Sequence, residues 1–111
     1  MSNPLHDSIE TIESGYELLL AYAAQGRDSD AGTEVRAKLT GMADAADVIV
    51  NTLSSGEDEF DSVVVDDAKK ARAAIRYALK QAKISSELVD NLNASIHLRA
   101  LLTDLFLISE V

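Results

Sequence analysis

The sequence predicts an all-α fold, an antiparallel up-down four-helix bundle that occupies residues 1–111 as a single helical-bundle domain. Three observations predict it. Apolar residues recur at helical spacing in four successive segments. Clusters of loop-forming residues separate those segments and are too short to divide the chain into domains. The 111 residues, 47% hydrophobic and 26% charged, match one modest folded core rather than a disordered chain.

The elements follow in chain order. At about 100° of rotation per residue, Leu5, Ile9, Ile12, Tyr16, Leu19, Leu20 and Ala23 fall on one stripe. Asn3 can cap this first helix, Pro4 suits a first turn that needs no amide hydrogen, and Gly26 can end it. Residues 27–32 read as a loop. The second stripe is Val35, Leu39, Met42, Ala46, Ile49, Val50 and Leu53, with Thr33 as N-cap and Gly56 beyond its end. The third is Val64, Ala68, Ala71, Ile75, Ala78, Leu79 and Ala82, led in by Asp61 or Ser62. Asp66 and Asp67 then stand in a first turn that favours negative charge. The Val63-Val64-Val65 run alone would suit a strand, but the alanine-rich helical spacing after it outweighs that reading. A serine at 85 or 86 caps the last and longest helix, expected unbroken from about 86 to about 109. Gly15 and Gly41, inside helices, are read as allowing close helix approach.

Composition narrows the function. Cysteine is absent, which removes disulfides and thiolate metal sites and fits a cytoplasmic protein. Neither a leader pattern nor an apolar run long enough for a bilayer span is present, so no membrane partner is expected. A formal charge of −9 disfavours nucleic acid as a partner. Glycine-rich phosphate loops, nucleophile elbows and metalloprotease motifs are missing, so the chain is expected to be non-catalytic, with no cofactor and no metal.

The strongest functional signal is the C-terminus. Leu101, Leu102, Leu105, Phe106, Leu107 and Ile108 surround an unbroken helix instead of forming one stripe, and Arg99 projects among Leu92, Ile96, Leu102 and Phe106. One core face cannot hide them all, and an unpaired charge in an apolar sector is costly. Leu18, Tyr22 and Val48 lie off their own stripes and extend the apolar surface. Arg99, Leu101, Leu102, Leu105, Phe106 and Ile108 are therefore expected to form a partner interface. Its simplest form is a two-fold homodimer. The function expected is protein–protein interaction, as an adaptor, assembly chaperone or inhibitor, with a partner that the sequence does not identify.

Three further features carry alternatives. Lys69, Arg72, Arg76, Lys80 and Lys83 share one face of the third helix, a row that fits either phosphate groups of a polyanion or neutralisation of acids such as Asp44, Asp47, Glu87 and Asp90. The acidic stretch from Glu57 to Asp61 lacks the glycine and final glutamate of a calcium loop. It reads as a turn in which Phe60 staples the following helix, or as a docking loop for a basic partner. Asp90, Asn93, His97 and Asp104 would share a polar strip of an unbroken last helix, which offers a small metal or ligand site near His97. Their spacing matches neither the Glu-x-x-His nor the His-Glu-x-x-His pattern. Asn93-Ala94-Ser95 matches the glycosylation triplet by chance.

Overall fold

The computed structural model describes residues 3–109 as five helices: α1 (Pro4–Ala23), α2 (Val35–Leu53), α3 (Glu59–Leu79), α4 (Ser86–Ala94) and α5 (Ile96–Ser109). The first three occupy the expected segments. The caps explain where they begin. Asn3 accepts the Leu5 amide hydrogen and Pro4 opens the first turn, while Gly26, at φ 66°, turns the chain after α1 in a conformation that favours glycine. Helix α2 is the exception: its N-cap position is Glu34 rather than the expected Thr33 and has no side-chain cap, although Thr33 Oγ1, one residue earlier, accepts the Val35 amide hydrogen at 3.4 Å. Helix α3 begins earlier than expected, because Asp58 rather than Asp61 or Ser62 caps it by accepting the Phe60 amide hydrogen. Phe60 is thus a first-turn residue of α3, not a staple ahead of it.

The expected single last helix is two. Ser95 has extended backbone (φ −64°, ψ 138°), closing α4 through its own amide and opening α5 by accepting the Leu98 amide hydrogen at 3.5 Å. Serine competes well for backbone donors at helix starts, so a break needs neither glycine nor proline. The triplet dismissed as a chance glycosylation match holds this break. The four-helix expectation is corrected to five.

The break restarts the helical phase. In α5, Leu98, Leu101, Leu102 and Leu105 now form one clean i, i+3, i+4, i+7 stripe, and all are buried. Arg99 and Ile96 turn outward. The two short helices also take different supports: α4 packs chiefly on α1, and α5 chiefly on α3. They join α1, α2 and α3 around one core in which Ile12, Leu19, Leu39, Met42, Ile49, Ile75, Leu98 and Leu101 are sealed from solvent. Each such side chain stabilises the fold by about 1.5–3 kcal/mol through burial. At Gly15 the Met42 side chain of α2 fills the space a side chain would need, with an added Cβ only 2.6 Å from Met42 Sδ. The expectation of close approach fails for Gly41, where a Cβ would meet nothing within 4 Å.

Candidate functional site

Helices α3 and α5 meet so that the start of one lies by the end of the other, and residues of both line a groove at that shared tip. Asp58, Phe60 and Asp61 from α3 and its cap, with Leu107 and Ile108 from α5, line one groove. Phe60 and Ile108 are half-buried, Leu107 is 57% exposed, and its neighbour Phe106 is 51% exposed. Val63, one turn beyond Phe60, is exposed as well. The local reason is angular. The α5 core stripe is filled by four leucines, so Phe106 falls on one flank of it and Leu107 on the back.

Beside this groove lies a carboxyl pair. Asp104 is buried, at 7% exposure, and its Oδ2 has no hydrogen-bond partner. Burial first, and then the Asp67 side chain of α3 as hydrogen-bond partner and as charge, push its carboxyl up to about 7. Two carboxyls this close share a proton more readily than both ionise.

The interface residues expected from sequence divide sharply. Leu101, Leu102 and Leu105 are buried within the single chain, so they need no second copy to shelter them. Ile108 is half-buried, while Phe106 and Arg99 stand at the surface, Arg99 in a shallow surface pocket with Ala94, Ile96, Ala100 and Thr103. Leu107, outside the expected set of six, is the most exposed large side chain of the C-terminal turn. Among the off-stripe residues, Tyr22 is buried and Leu18 and Val48 are half-buried.

The basic row is partly committed. Arg72 Nη1 and Arg76 Nη2 reach the two oxygens of Asp47 on α2, at 2.6 and 2.8 Å. This is the charge neutralisation anticipated for Asp47. Lys69, Lys80 and Lys83 are exposed and make no ion pair among the described residues. The polar strip around His97 is not assembled. The break at Ser95 leaves Asp90 and His97 exposed on different helices, while Asn93 and Asp104 are buried. Among the described residues, no group of three or more His, Cys, Asp or Glu side chains is placed to hold a metal ion.

Sequence reasoning missed the opposite end of the bundle. There Arg36 of α2 donates to the carbonyls of Leu79 (2.9 Å) and Gln81 (3.0 Å) at the end of α3, and to Asp30 at 3.0 Å. Asp30 also accepts the Ile84 amide hydrogen. The Arg36 guanidinium, followed by that amide, holds the Asp30 carboxyl below its ordinary value. Tyr22 donates its hydroxyl to the Ile84 carbonyl, and burial pushes that phenol up. Buried Ser86 donates to the Tyr22 carbonyl and accepts the Arg27 amide hydrogen. Apart from Arg36 and Asp30, which are six residues apart, these partners lie 43 to 64 residues apart, and no local spacing signals them.

Compared with protein-family models, curated proteins and solved structures, the chain matches none. No described helix is long and apolar enough to cross a membrane.

Proposed function

We propose that this chain is a non-catalytic, cytoplasmic protein-binding module that docks its partner at the tip shared by α3 and α5. The single observation behind this reading is the juxtaposition of Phe60, Leu107 and Ile108 in one groove. Adjoining apolar side chains left partly open to solvent are a mark of contact surfaces. The antiparallel up-down bundle, with α4 and α5 together as its fourth member, is the scaffold of the proposal: it presents the tip on helices, which hold side chains more firmly than loops do.

The homodimer reading is weaker than the sequence suggested, since Leu101, Leu102 and Leu105 are sheltered within one copy. The polyanion reading is weaker too, because Arg72 and Arg76 are held by Asp47. A photo-crosslinking residue in place of Leu107, compared in the native host with one in place of exposed Lys38, tests the proposal. Discrete protein adducts specific to position 107 are expected. Identical adducts from both positions, or none from 107, overturn it.

A further inference from the structure

We infer that the occupant of the tip is a cationic amphipathic helix of another protein, a conclusion that deepens the docking reading and rests on it. The argument begins with charge. Between Lys38 and Lys69 the chain carries eight carboxylates and no lysine, arginine or histidine, and no basic residue follows Arg99. Those two stretches supply both walls of the groove. Asp47 is held by Arg72 and Arg76, and Asp66 by Lys70. The carboxylates nearest the groove, Glu57, Asp58, Glu59 and Asp61, make no ion pair among the described residues. The first three are exposed and Asp61 is half-buried. An apolar floor with an unneutralised acidic rim selects apolar anchors flanked by lysine or arginine.

Shape points the same way. Phe60, Val63 and Asp67 follow each other along one face of α3, Asp104 and Ile108 lie on the facing flank of α5, and Leu107 forms the outer edge of the groove. A shallow trough between two helices is the setting in which a third helix seats leucine-like side chains at i, i+3, i+4 and i+7. A second copy fits poorly. A two-fold contact through this patch would bring two acidic rims face to face, and like charges in apposition oppose association.

The test uses the full chain and two labelled helical peptides of about five turns. Both carry one leucine stripe; one is flanked by lysines, and the other has glutamate at each of those positions. Fluorescence anisotropy gives affinities, and amide shifts locate binding. The lysine peptide should bind at least about tenfold tighter. Its shifts should centre on residues 58–63 and 104–109. Binding should be lost in Leu107→Asp and weakened about fivefold, with a shallower salt dependence, in the Asp58→Asn, Asp61→Asn double variant. Asparagine at 58 keeps the α3 cap, so that variant should remain folded. A control double variant at the opposite end, Asp28→Asn with Glu34→Gln, separates a local rim from general attraction to an acidic protein. Equal binding of the two peptides, binding by neither, or equal weakening by the control pair overturns the cationic-helix inference. Position-107 adducts with another protein would still uphold docking in each of those cases, whereas loss of the adducts removes both.

Discussion

Around Ser86 the bundle closes on itself, and around Leu107 it does not. At the first end, Arg36, Asp30, Tyr22 and Ser86 tie the loop after α1 and the loop after α3 to one another, each satisfying backbone groups that helix ends leave open. At the other end the acidic cap of α3 faces solvent, apolar side chains lie bare, and Asp104 is buried with an oxygen unpartnered. The long-range side-chain bonds are concentrated at one end, and the proposed docking surface lies at the other. The same division of labour is common where a rigid scaffold carries a binding surface.

The contrast breaks most directly at Arg36. Arg36→Met removes the donors to Leu79 and Gln81 and leaves Asp30 without its cation, so unfolding by denaturant should show a loss of about 3 kcal/mol. A loss below about 1 kcal/mol would mean that this end is not the stable one.

The next largest effect concerns pH. The Asp104 carboxyl titrates near 7 in the folded chain against an ordinary 3.8, so the folded state retains a proton that the unfolded chain has released. Stability therefore declines as pH rises from about 4 through about 7, and levels off above. Asp30 acts with the opposite sign. Its carboxyl is held low, so its contribution is present above the ordinary value and is lost as pH falls through the folded one. In Asp104→Asn the decline between pH 4.5 and 8 should flatten, leaving the variant about 2 kcal/mol more stable than the parent at pH 8. Parallel pH profiles for parent and variant would remove the carboxyl pair from the account.

The smallest effect sharpens the comparison by its size. Leu107→Ser, at an exposed position, should change stability by no more than about 0.5 kcal/mol. A thermal melt checks it, and a large loss would make Leu107 a core residue instead of a contact one.

Legibility in the sequence followed the range of the interaction. Stripes such as Leu39, Met42, Ala46 and Ile49 reveal their helix because three- and four-residue spacing is a local property. The break at Ser95 was invisible because its cue is one serine hydroxyl, and serines elsewhere in helices do the opposite. Ser14, for example, bonds back to the Thr11 carbonyl within α1. That one omission displaced Arg99, misassigned Leu101, Leu102 and Leu105 to a surface, and joined His97 to Asp104 on a strip that does not exist. The acidic stretch at 57–61 was seen, but its apolar partners Leu107 and Ile108 lie nearly fifty residues away. No periodicity connects them. The Arg36 and Tyr22 bonds were out of reach for the same reason.

Ser95 also tells an engineer where the chain will forgive a change of length. Because α4 takes its angular origin from Ser85 and α5 takes a new one from Ser95, the two need not stay in phase. An extra residue placed at that seam shifts a connection, while one placed after Leu98 rotates every later leucine by about 100° and pulls them off their seats.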